Sequence, residues 1–133
     1  MNQIIASTNK MRIAHDKDNL YFRINLYHNS DDTNQFKEDL LHFLQIAEAY
    51  MPKSIIWDLS QLELLIDVEL QTWIDTNINI KEVELGIRKE AFVMPHELLN
   101  QLSIEQTMDE QFGNHISSRF FPTYEKALEW ILE

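Results

Sequence analysis

The stretch Ser54-Ile55-Ile56-Trp57-Asp58-Leu59-Ser60-Gln61-Leu62 decides how this chain folds. Ile55, Ile56 and Trp57 follow one another without alternation, and the run then meets an acid, Asp58, and a hydroxyl, Ser60. A strand with one wet face alternates apolar and polar residues, whereas a strand covered on both faces does not. The run is therefore read as an inner strand between two helical layers, surfacing at Asp58. Asp58 and Ser60 then lie beyond the carboxyl end of a strand, where ligands gather in α/β sheets. They form a candidate strand-end site. The reading adopted for them is plainer: they cap loop backbone as the chain leaves the sheet.

The flanks read as alternating elements. Residues 10–29 form a hairpin, with the polar turn Asp16-Lys17-Asp18-Asn19 between a short strand and LYFRINLYH. Leu20, Phe22, Ile24 and Leu26 fall on one face of that strand, and Tyr21, Arg23, Asn25 and Tyr27 on a wetter one. Residues 31–50 follow as a helix with Phe36, Leu40, Leu44 and Ala47 as its stripe, Ser30, Asp31 and Asp32 as candidate caps, and Pro52 as its stop. An amphipathic stretch from Asp67 to Leu85 carries Leu70, Trp73, Ile74 and Ile78, ends at Gly86, and is expected to break near Asn77-Ile78-Asn79. RKEAFVM at 88–94 reads as a second inner strand, residues 96–112 as a third helix ending near Gly113, and SSRFF as a last strand. Thr123 caps a terminal helix, YEKALEWILE. The expected fold class is α/β: a mixed, largely parallel central sheet with an N-terminal β-hairpin, in the order β-β-α-β-α-β-α-β-α. Residues 1–9 are read as a flexible N-terminal segment and 10–133 as a single domain.

Composition narrows the function. The chain has 133 residues, of which 44% are hydrophobic, enough for a real core. Its net charge of −11 would repel a phosphate backbone or an anionic membrane. No cysteine is present, which removes disulfides and thiolate chemistry. The start MNQIIASTNK lacks a basic, long-apolar secretory pattern, and no run of about 18 apolar residues is found, so a cytoplasmic location without membrane insertion is expected.

The hairpin, the strand IIWDLS and the terminal FFPTYEKALEWILE together resemble the STAS-like family, which takes in anti-sigma-factor antagonists and small bacterial SpoIIAA-like proteins. Glu125, Lys126, Ala127, Leu128, Trp130 and Leu132 are similar to the terminal helix of the SpoIIAA-like group. The resemblance implies a STAS-like fold and a regulatory or protein-interaction role. Antagonists of the phospho-switch type carry an Asp-Ser-Ser-Gly segment shortly after the matching strand. Here Leu65-Ile66-Asp67-Val68-Glu69 has the aspartate but neither the serine nor the glycine, and its acids would repel a phosphate. The expectation is a module without the phospho-serine switch.

Other chemistry finds little support. The histidines at 15, 28, 42, 96 and 115 lack metal spacing, although His15 and His28 are read as neighbours across the hairpin. No Gly-x-Ser-x-Gly elbow or glycine-rich phosphate loop occurs. Two binding surfaces remain. Glu63, Asp67, Glu69, Asp75 and Glu82 offer an acidic face for docking a basic partner. Trp57, Phe92, Met94, Met108 and Phe112 could line an apolar pocket at one end of the sheet. The sequence thus points to a non-enzymatic protein-interaction module with no cofactor, with a carrier of a small hydrophobic or lipid-like ligand as the alternative. A homodimer through the exposed edge of the hairpin is a further expectation.

Overall fold

The computed structural model describes residues 2–94 and 116–133. In chain order the elements are β1 (Asn2–Ser7), β2 (Met11–Asp16), β3 (Tyr21–Leu26), α1 (Thr33–Tyr50) and β4 (Ser54–Asp58). There follow α2 (Val68–Ile74), a π-helical turn (Asp75–Asn79), α3 (Ile80–Glu84), β5 (Lys89–Val93), β6 (Ser117–Phe121) and α4 (Tyr124–Ile131). The helix expected over 96–112 lies outside the described residues.

Among the described residues the sheet has six strands in the order β1-β2-β3-β4-β5-β6. β1, β2 and β3 pair antiparallel, and β3 to β6 run parallel. Two sequence expectations change here. The segment 1–9, expected to be flexible, instead supplies β1, which pairs with β2 from Asn2↔Asp16 to Ser7↔Arg12 across an irregularity between Ile4 and Ala6. Three strands rather than two therefore open the fold, and the edge on this side of the sheet belongs to β1, not to the hairpin. Ile5 and Ala6 pack against the core, a reason for this segment to be held down.

β4 is buried along all five residues. Ile55 and Trp57 point into a core formed with Phe36, Leu40, Phe43 and Ala47 of α1 and with Leu70 and Ile78 of the following helix. Ile56 points the other way, into a second core with Ala91, Val93 and Tyr21 and with Ala127, Trp130 and Ile131 of α4. Neighbouring Ile56↔Ala91 and Trp57↔Phe92 register β4 and β5 side by side. The face of β3 read as wet is half covered: Tyr21 is buried, its hydroxyl lies 2.9 Å from that of Tyr124, and Arg23 stacks 3.7 Å above the Tyr124 ring. α1 and the α2–α3 helix share one face, as successive crossovers of one hand between adjacent strands require.

Local signals set the boundaries. Asp16 Oδ1 accepts from the backbone N–H groups of Asp18 and Asn19, each at 3.1 Å, which closes the β2–β3 turn. Asp32 takes the N-cap position of α1, although its carboxylate accepts from Asn29 N and not from the helix. Met51 adopts a left-handed conformation at the end of α1, ahead of Pro52. Asp67 Oδ1 caps α2 by accepting from Leu70 N at 2.8 Å, and Thr123 Oγ1 caps α4 by accepting from Lys126 N at 3.2 Å.

Gly86 has φ +87° just after α3, and a Cβ built there would meet no atom within 4 Å. A Gly86→Ala variant should therefore lose about 1–2 kcal/mol from backbone strain alone, without a steric component. Urea unfolding checks this: a loss well above that range would mean a packing defect, and no loss would mean that the turn relaxes.

Candidate functional site

The π-helical turn explains how the site forms. Leu70, Ile74, Ile78 and Glu82 recur every fourth residue. On a regular α-helix each such step drifts by about 40°, so the fourth member would rotate away from the sheet. The wider turn at Asp75–Asn79 takes up that rotation. Its side chains help loosen the ladder: Thr72, Thr76 and Asn77 each donate 2.9 Å hydrogen bonds to the carbonyl four residues earlier. The expected break near Asn77-Ile78-Asn79 is thus an insertion within a continuing helix. Its result is that Ile78, Asn79 and Glu82 are all buried.

Between this helix and the outer part of the sheet lies a cavity of about 240 Å³. β4 contributes Trp57 to its wall, β5 contributes Glu90 and Phe92, and β6 contributes Phe120. Ile74 and Ile78 close the helix side, and Leu59, Leu62, Leu64, Leu65 and Ile66 form a wall from the loop after β4. Phe92 and Phe120 stack with centroids 5.2 Å apart, and Phe43 packs edge-on to the Trp57 ring at 4.9 Å, fixing these aromatic walls.

Two carboxyl groups interrupt this apolar lining. Glu82 and Glu90 are 1% and 4% exposed and hydrogen-bond to one another. Glu90 Oε2 also accepts from the Trp57 indole N–H. Glu82 Oε2 has no hydrogen-bond partner. Burial chiefly, then the charge of Glu90, holds the Glu82 carboxyl well above the ordinary glutamate value of 4.5. Burial raises Glu90 too, while the bonds from Glu82 and Trp57 partly oppose the rise. The hydrogen bonds therefore favour a neutral Glu82 donating its proton to Glu90.

The residues singled out in the sequence separate into distinct places. Trp57, Phe92 and Met94 line the same cavity, while Met108 and Phe112 lie outside the described residues. Asp58 and Ser60 do not line it. Asp58 Oδ1 accepts from Ser60 N at 3.1 Å and from Ser60 Oγ at 2.6 Å, and Oδ2 accepts from Asn25 at 3.2 Å and Arg23 at 3.4 Å. Those four donors occupy the carboxylate with anchoring the loop and the neighbouring strand.

The acidic face needs a correction. Glu63, Asp67 and Glu69 are exposed, but Asp75 is half-buried and accepts from Gln71 and Asn79, and Glu82 faces the interior. His15 and His28 are also not neighbours. His15 pairs with Phe22 near the turn, whereas His28 lies beyond the opposite end of β3. There His28 is fully buried, with Nε2 2.7 Å from Asp39 Oδ2, and Gln35 donates to Asp39 Oδ1 at 2.9 Å. Among the described residues no group of three or more His, Asp or Glu side chains could hold a metal ion.

The sequence leaves Glu90 unassigned and places Glu82 on the acidic docking face, not in the interior. The signal was present: Glu90 occupies an inner-strand position two before Phe92, and Glu82 continues the four-residue spacing of Ile74 and Ile78. No family model matches the chain, and no curated protein or solved structure does either.

The raised carboxyl makes stability depend on pH with a definite sign. The favourable state is a protonated, buried Glu82, so its contribution is fully present below the ordinary glutamate value of 4.5 and is lost as pH rises toward the higher value in the folded protein. Glu82→Gln keeps the neutral shape without that proton. Its stability relative to the parent should climb across this window, by up to about 1.4 kcal/mol per pH unit for one proton. Urea midpoints measured at several pH values would show parallel curves if Glu82 titrated normally.

Proposed function

We propose that this chain is a STAS-like α/β domain that carries a small hydrophobic ligand in the cavity between the α2–α3 helix and strands β4 to β6. The observation that carries the reading is the cavity itself, about 240 Å³ walled almost wholly by aliphatic and aromatic side chains. Native interiors pack as closely as organic crystals. The cavity is partly open to solvent, so its apolar walls face water when it is empty, and a ligand of matching size would remove that apolar surface from water. An apolar cavity of about 150 Å³ accepts benzene, so this one suits a fused bicyclic ring or a medium-length alkyl chain. For the STAS-like reading, the supports are the parallel β3-α1-β4-α2-β5 core behind antiparallel strands and the terminal helix after β6.

A docking role has its own observation. Leu65, among the cavity's lining residues, is 79% exposed and Val68, three residues on, is 83% exposed, and the exposed acids Glu63, Asp67 and Glu69 flank them. A partner meeting this surface would sense whether the cavity lined by Leu65 is filled, which joins the regulatory and the carrier readings at one place.

The uncharged probe N-phenyl-1-naphthylamine tests the proposal, since its fluorescence rises in apolar surroundings. It should bind the parent protein, and Ile74→Phe, which places a ring into the cavity, should weaken binding at least about tenfold, or about 1.4 kcal/mol. Ile80→Phe, at an exposed position outside the lining, is the control and should bind like the parent. Equal binding by the Ile74→Phe variant would place the probe elsewhere and remove the cavity as the carrier site.

A further inference from the structure

The polar end of the cavity has an unbalanced inventory of hydrogen-bonding groups. Each of its donor groups already places one N–H on a carboxylate, and the Gln71 and Asn79 amides each keep a second N–H. The Trp57 indole N–H goes to Glu90, and the Gln71 and Asn79 side-chain amides both donate to Asp75 Oδ1, at 3.0 and 2.8 Å. An acceptor is left over: Glu82 Oε2, on a side chain 1% exposed and among the cavity's lining residues, without a partner. A buried polar atom left unpaired is costly, by about 1–3 kcal/mol, and more if it becomes charged. Whatever fills the cavity and stabilises this end must therefore donate a hydrogen bond.

We propose that the ligand is an amine, an alkyl chain or small aromatic skeleton bearing one primary ammonium group that donates to Glu82 Oε2. This rests on the reading of the cavity as a ligand site and deepens it. An ammonium group brings three N–H donors and no acceptor: one suits Glu82 Oε2, and the others need Glu90 or the side-chain carbonyls of Gln71 and Asn79, which also line the cavity. Its charge meets Glu90, the titratable group facing Glu82 from β5. β4 presents the neutral Trp57 at this point, and the helix itself presents Asn79. No ion pair to Glu82 or Glu90 occurs among the described residues. A carboxylate ligand would instead confront two carboxyl groups in a protein of net charge −11. An alcohol could donate one bond but would bring no charge.

The proton count follows. Glu82 enters as the neutral acid bonded to Glu90, and the ligand enters as an ammonium ion. On binding, Glu82 gives its proton to solvent and becomes the counter-ion. One proton is released per ligand, and affinity rises with pH until the free protein itself loses that proton.

Calorimetric titration of the full chain with octylamine, 1-octanol and octanoate, in about 0.15 M salt to suppress loose surface attraction, tests this. Octylamine should displace N-phenyl-1-naphthylamine and bind at least tenfold more tightly than octanol, with octanoate weakest. In the unsubstituted protein its affinity should climb as pH rises above the ordinary glutamate value of 4.5, over a range where an alkyl ammonium near lysine in strength stays charged, while octanol stays level. Titrations in two buffers of different ionisation enthalpy should report proton release. Glu82→Gln should weaken octylamine binding at least tenfold more than octanol binding. The proposal falls if octanol equals octylamine, if the pH series is flat, or if Glu82→Gln keeps the amine preference. The pH series needs no substitution, so it decides even if that variant folds poorly. Octanol binding without an amine advantage overturns only the ligand class. Failure of phenylnaphthylamine and both neutral and charged alkyl probes overturns the cavity reading as well.

Discussion

The structure depends on β4 being dry on both faces. All five of its residues are buried, with Ile55 and Trp57 committed to one core and Ile56 to the other. A strand so placed must have a helical layer on each side and a hydrogen-bonded strand on each edge. β3 and β5 supply the edges, α1 with the α2–α3 helix one layer, and α4 the other. Each fully buried Ile or Trp contributes about 1.5–3 kcal/mol relative to exposure, so the two cores are joined through this one strand. The position of the cavity follows from the same constraint: Trp57 is both a core residue and a cavity wall.

The parts of the fold set by local chemistry were legible in the sequence. The unbroken run at Ile55-Ile56-Trp57, the polar turn at Asp16 to Asn19, Gly86 with its left-handed backbone, and the Thr123 cap all express themselves within a few residues. β1 was not legible, because NQIIAS is short and its place is decided by pairing with β2. Its strand character is a long-range property of edge coverage, not of composition. The half-covered face of β3 escaped for a similar reason: Arg23 and Tyr21 look like solvent residues until Tyr124, about a hundred positions away in sequence, stacks and bonds against them.

The site was legible in its walls and hidden in its chemistry. Trp57, Phe92 and Met94 stand out as apolar residues on inner strands, and the cavity gathers them. Glu82 and Glu90 were hidden because charged residues are almost never fully buried unless paired. A glutamate in an amphipathic helix therefore reads as belonging to the solvent face. The π-helical turn reverses that assignment by keeping a four-residue period in phase with the sheet. A spacing of four sustained over three steps, ending in an acid, is the pattern that predicts such an inward carboxyl.

The monotonic strand order has a bearing on assembly at the ribosome. Among the described residues each strand after β1 hydrogen-bonds to the strand before it, so none of these is wedged between two that are already joined. As the chain emerges N-terminus first, the three-stranded meander of β1 to β3 can form from contacts close in sequence, and each later helix–strand unit then adds to a growing margin. Accretion from one side leaves a single advancing edge at every stage, and α4, which seals the second core, follows β6 in the chain.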